Sequence, residues 1–215
     1  MNTENTELNE ELVFGDIEDI YSTVEFWGKE YRLPHWSLEI SDIIKSEDQL
    51  VAIWKAIDNA YPGIESPEAF MLYLWMLQAS KKDQNGDDII PTERFIKTQI
   101  DGQERTLHVS FADIKRHQES RQKFMNAEFV FRCPSVLEWR KLNPLTNHAA
   151  LGYLFQYYET GDGAKYKLKD TKKLPHAFAF KVDEIAGTIV LPIKGTDIVV
   201  RGLDAILELF VKGTL

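Results

Sequence analysis

The chain has 215 residues, 44% hydrophobic and 12% aromatic, enough for one sizeable core or two small ones. No apolar run approaches the ~20 residues that cross a bilayer, and the N-terminus lacks the basic and apolar regions of a secretory signal. A lone cysteine, Cys133, excludes an intramolecular disulfide and a cysteine-built zinc knot, so the expected compartment is the reducing cytoplasm.

Charge is distributed unevenly. The formal net charge is −9, yet residues 1–60 hold 14 Asp/Glu against 4 Lys/Arg, and the remainder is nearly neutral. Such an acidic end can steer a basic partner, and it also serves solubility.

Residues 1–11 are polar and acidic and read as a flexible tail. From Leu12 to Tyr31, Ile17, Ile20, Tyr21, Val24 and Trp27 recur at helical spacing and predict a helix face. Pro34 interrupts it. Ser46 and Gln49 form a capping box ahead of Leu50, Trp54, Ile57 and Tyr61, which predicts an amphipathic helix stopped at Pro62-Gly63. Ser66-Pro67 is a cap followed by proline at the first helical position, and the apolar run from Phe70 to Leu77 predicts a central buried helix. The polar break at 81–91 is the candidate subdomain boundary in an otherwise single compact domain spanning 12–215.

Thr92–Ile100 and Gln103–Val109 flank Asp101-Gly102 and predict a hairpin. Ser110 and Asp113 suggest the cap of a polar helix over 111–125. Phe129, Val130 and Phe131 predict a strand. Ser135 caps a short helix through Val136, Leu137 and Trp139, ended near Pro144. Thr146 or Asn147 opens another through Leu151, Leu154, Phe155 and Tyr158, ended at Gly161-Asp162-Gly163. A basic, exposed segment follows at 164–175. Residues 177–182, 188–191 and 198–200 resemble strands, and Leu203, Ile206, Leu207, Phe210 and Val211 fit a final helix. The expected class is α+β, a helix-rich N-terminal portion packed with a mixed portion that contains a hairpin and a small antiparallel or mixed sheet.

No motif concentrates catalytic chemistry. The five histidines lack His-Glu-x-x-His spacing, and no glycine-rich phosphate loop is present. Asp83, Asn85 and Asp87 begin like a calcium loop, but Asp88 and Arg94 stand where glycine and a bidentate glutamate are needed. Ser120 and Lys123 have a Ser-x-x-Lys spacing without its companion motifs. Neither a metal nor a cofactor is implied. Cys133, among Phe129, Phe131 and Val136, reads as a core residue.

The preferred expectation is a cytoplasmic protein-binding protein of the inhibitor, immunity-factor or adaptor kind. Its acidic surface would engage a basic partner, with Glu10, Glu11, Asp16, Glu18 and Asp19 steering and Trp27 and Trp36 as anchors. One alternative is a metal-independent hydrolase or nuclease. His108 or His117 would transfer protons there, and Arg116 or Arg121 would hold an anionic substrate. Another is a nucleic-acid-binding module. Residues 94–181 carry 16 Lys/Arg against 9 Asp/Glu, and its face would be built from Lys115, Arg116, Arg121, Lys123, Lys165, Lys167, Lys169, Lys172 and Lys173.

Overall fold

The computed structural model describes residues 22–33, 49–80, 90–100, 102–117, 121–142, 147–174, 176, 178 and 188–213. The class is α+β, with helices interspersed among antiparallel sheets.

The first described element is a hairpin of β1 (Thr23–Phe26) and β2 (Lys29–Arg32), turned at Trp27-Gly28. In the described part of 12–31 this replaces the expected helix. Val24 and Trp27 do stand three apart, but Trp27 and Gly28 both have positive φ, at 54° and 71°, which no right-handed helix continues. The arms TVEF and KEYR also hold β-branched and aromatic residues suited to paired strands.

Two helices then form the floor of the main core. In α1 (Gln49–Ala60), Ile53, Trp54 and Ile57 are buried, as the three-and-four spacing requires. In α2 (Ser66–Ser80), Phe70–Leu74, Met76 and Leu77 are buried, as expected of a central helix. Trp54 of α1 packs its ring 5.7 Å from Phe70 and 5.1 Å from Tyr73. Ser46, expected to open α1, lies outside the described residues.

β3 (Glu93–Ile100) and β4 (Gln103–Ser110) pair in full register, from Glu93↔Ser110 to Ile100↔Gln103. Ile96, Leu107 and Val109 face the core. Ser110 does act as a cap, its Oγ accepting from the Ala112 N–H at 3.2 Å, but only of the single 3-10 turn Phe111–Asp113. The helix expected over 111–125 is instead β5 (Lys115–His117) and β6 (Arg121–Phe124). The burial of 121–124 alternates with period two, so the charges mark one face of a strand rather than a helix.

β6 pairs with β7 (Ala127–Phe131), and the sheet continues through β8 (Phe155–Thr160) to β9 (Lys165–Tyr166). Between β7 and β8 lie α3 (Val136–Leu142) and α4 (Asn147–Leu154). A reciprocal capping box opens α3: Ser135 N–H donates to Glu138 at 3.0 Å, and Glu138 N–H to Ser135 Oγ at 3.3 Å. α4 stops at Leu154, short of the expected Tyr158, because Phe155 and Tyr158 pair with Phe131 and Phe129 across the sheet. Gly161-Asp162-Gly163 therefore joins two strands instead of ending a helix. Of the strand expected at 177–182, only Phe178 is described, buried against Phe129 and Phe131.

β10 (Thr188–Pro192) lies between β5 and β11 (Val199–Arg201), antiparallel to both, and α5 (Leu203–Lys212) follows. The chain thus leaves this sheet at His117 and re-enters it at Thr188, the Cα partner of His117. Its apolar residues divide accordingly. The larger core joins the β1–β2 hairpin, α1, α2, β3–β4, β10 and α5. A smaller one gathers Phe129, Phe131, Leu142, Leu151, Leu154 and Phe178. Trp139 packs against both. Leu77 and Ile90, on either side of the polar break, belong to the same larger core. Among the described residues no helix is long and apolar enough to cross a membrane.

Candidate functional site

Among the described residues two non-glycine positions have positive φ, Trp27 and Met125. A two-residue hairpin turn with both φ values positive favours Asn-Gly, and a bulky side chain in the left-handed region costs about 1–2 kcal/mol. Trp27 is held there by its indole. Nε1 donates to the Ile114 carbonyl at 2.9 Å, and the ring stands edge-on to Phe26 at 5.3 Å. Even so, the residue stays 37% exposed.

The hairpin behind it is rigidly seated. Phe26 stacks on Tyr31 at 4.3 Å with the rings 6° apart, and Tyr31 meets Tyr61 edge-on at 5.7 Å. The Tyr61 hydroxyl accepts from the Arg32 N–H at 2.6 Å and donates to the Arg32 carbonyl at 2.7 Å. β2 is thereby clamped to the end of α1.

Between the turn, α2 and the 3-10 turn runs a cleft of about 460 Å³. Phe26, Trp27, Trp75 and Phe111 supply its aromatic walls, and Glu25 and Glu93 its charge. Trp75 and Phe111 lock each other edge-to-face at 5.4 Å. The Trp75 Nε1 is buried and has no hydrogen-bond partner among the described residues, a state that costs about 1–3 kcal/mol when nothing satisfies it. Among the described residues lining the cleft there is no lysine, arginine or histidine. Low-dielectric walls around two carboxylates focus negative potential into the space. Glu93 lies 3.3 Å from the Nε2 of His108 on β4, and His108 packs on Phe95 at 4.9 Å.

Of the residues expected to bind a protein, only Trp27 falls in the described chain, and it forms a wall of this cleft. Glu10, Glu11, Asp16, Glu18, Asp19 and Trp36 lie outside the described residues. Trp75, Glu93, Phe111, Glu25 and Phe26 were not singled out by sequence. Trp75 is hidden in the apolar run of α2, and Glu93 is one acid among many. The Trp27-Gly28 pair flanked by β-formers was the available signal.

His108 and His117 stand in different sheets. His108 is on the β3–β4 hairpin, whereas His117 ends β5 in the sheet with β10 and β11, its Nε2 buried without a hydrogen-bond partner among the described residues. The two arginines assigned to substrate are turned onto carboxylates. Arg116 bonds Glu65 and reaches Glu68 at 2.7 Å, and Arg121 reaches Glu128 at 2.6 Å. Burial raises the Glu68 carboxyl above its ordinary range despite Arg116. Burial likewise pushes the Cys133 thiol up to about 11, which leaves it a core group with little thiolate at neutral pH.

The basic residues divide between two sheets. Lys115 and Arg116 are on β5. Register puts Arg121, Lys123 and Lys165 on one face of the four-stranded sheet, where Glu128 and Glu159 stand between Lys123 and Lys165. Lys165 also sits over the Tyr157 ring at 4.8 Å. β9 ends at Tyr166, so Lys167 and Lys169 do not extend a strand with Lys165 as the alternation suggested. Lys172 and Lys173 occupy an exposed 3-10 turn capped by Asp170. The resulting faces are mixed in sign rather than continuously positive. Among the described residues no group of three or more His, Cys, Asp or Glu is placed to hold a metal ion.

No family model, curated protein or solved structure matches this chain.

Proposed function

We propose that the chain is a protein-binding protein of the inhibitor, immunity-factor or adaptor kind that engages a partner with a basic surface. The observation that carries this reading is the cleft beside Trp27, with four aromatic walls, two carboxylates and no cation among its described lining. Trp27 is the exposed one of the four, and an aromatic anchor set in a preorganised recess is what interfaces use for affinity, with surrounding acid supplying steering. The overall charge of −9 acts in the same direction. The mixed-sign faces at Arg116 and Arg121 favour this reading over the nucleic-acid and nuclease alternatives.

The test is capture of a partner from native-host lysate by the full chain, at low and high salt, with nuclease treatment. The expected result is one stoichiometric basic protein that survives nuclease, weakens with salt and is lost with Trp27→Ala. Recovery of nucleic acid, or loss of every partner after nuclease, contradicts it.

A further inference from the structure

We infer that the cleft receives one arginine side chain of the basic partner, an inference that rests on the protein-binding reading above. At about 460 Å³ the cleft falls within the ~300–1,000 Å³ of ordinary ligand pockets, room for one long side chain together with adjoining backbone. Its chemistry selects the occupant. Indole faces attract cations, and a planar guanidinium can also stack on them. Glu25 and Glu93 offer carboxylates to a group with five fixed donors, the pairing in which arginine exceeds lysine.

A free inorganic cation would meet the carboxylates but could not stack on the aromatic walls as a planar guanidinium can. The walls are prepared before binding, since Trp27 is fixed to Ile114, Trp75 to Phe111, and the hairpin to Tyr61. Little ordering is left for the occupant to drive.

The experiment is calorimetric titration of the full chain with short Gly/Ser peptides carrying one central arginine, lysine or citrulline. Citrulline keeps the shape and hydrogen-bonding amide but loses the charge. The expected order is arginine first, lysine several-fold weaker, and citrulline about tenfold or more weaker. Glu25→Gln with Glu93→Gln should cost the arginine peptide about tenfold while leaving the citrulline peptide unchanged. Trp75→Phe keeps an aromatic wall but weakens its attraction for a cation, so it should weaken the arginine and lysine peptides and leave the citrulline peptide nearly unchanged. Equal binding of arginine and citrulline overturns the inference. So does equal binding of arginine and lysine, or no binding up to about 10 mM. Captured basic protein that still binds the Glu25→Gln/Glu93→Gln chain with unchanged affinity would overturn the arginine site and leave the protein-binding reading standing. Arginine-selective peptide binding without any captured protein would do the reverse.

Discussion

The left-handed backbone of Trp27 is unfavourable for a bulky side chain, and the indole bond to Ile114 and the hairpin clamp at Tyr61 keep it there. Tyr61→Phe removes both hydrogen bonds to the Arg32 backbone and should cost about 1–2 kcal/mol in denaturant unfolding. Unchanged stability would show that the clamp is made in the structure but contributes nothing. A second residue-scale test concerns Glu138. Its paired hydrogen bonds with Arg132, at 2.7 and 2.8 Å, hold the carboxyl down to about 2 against an ordinary 4.5. A carboxyl lowered in the folded state stabilises the fold above its unfolded value, and that stabilisation is lost as pH falls from about 4.5 towards 2. Both side chains are about a third exposed, at 34% and 36%, so solvent screening reduces the effect to about 1 kcal/mol. Glu138→Gln should therefore be less stable than the parent at pH 7 and nearly equal to it at pH 2. An equal deficit at both pH values would contradict the Arg132 pairing as its cause.

At the scale of elements, α5 shows how a distant strand finishes a helix. Arg94 of β3 donates to the carbonyls of Phe210 and Val211, the latter at 2.9 Å, satisfying groups that the helix end leaves open. Gly213 closes the helix at φ 68°, and a Cβ there would lie 2.6 Å from Arg94 Nε. Gly213→Ala is thus strained twice, in its backbone and against Arg94. It should cost about 1–2 kcal/mol by thermal or denaturant unfolding, and a neutral result would contradict the close approach. Elements with local signals were legible in the sequence: the Ser66-Pro67 start of α2, the Asp101-Gly102 hairpin, the Ser135 cap and the final helix. Those decided by distant pairing were not. α4 ends early because Phe155 and Tyr158 find partners on β7, and 121–124 become a strand because β7 is available beside them. Trp27 illustrates the remaining failure, since in a short segment spacings of three and four also fit a hairpin. Trp27, singled out in the sequence by its residue type, does line the cleft. Trp75 and Glu93, far apart in sequence and joined only by folding, were not singled out.

The described residues form two cores that share Trp139, with the smaller one carried by a chain excursion that leaves and re-enters the sheet at His117 and Thr188. Local stability should follow that division. Phe131 is buried at 2% among Phe155 and Phe178, and Phe131→Ala should cost about 3–5 kcal/mol locally. Hydrogen exchange should then accelerate in β7, β8 and α4 while α2 and β10 keep their protection. Uniform acceleration would show a single cooperative unit. The cleft belongs to the larger core, so the same variant should leave its walls in place.

The binding claim is tested most directly by the indole N–H signals of the full chain in a ¹⁵N–¹H correlation spectrum. The five tryptophans are assigned by single Phe substitutions, and the arginine peptide is then titrated in. The expected result is a saturable shift of the Trp27 and Trp75 signals, with Trp54 and Trp139 unmoved and both shifts abolished by Glu25→Gln/Glu93→Gln. Saturation that moves Trp54 or Trp139 instead, or no shift at all, would contradict the acidic aromatic cleft as the place where this protein takes hold of its partner.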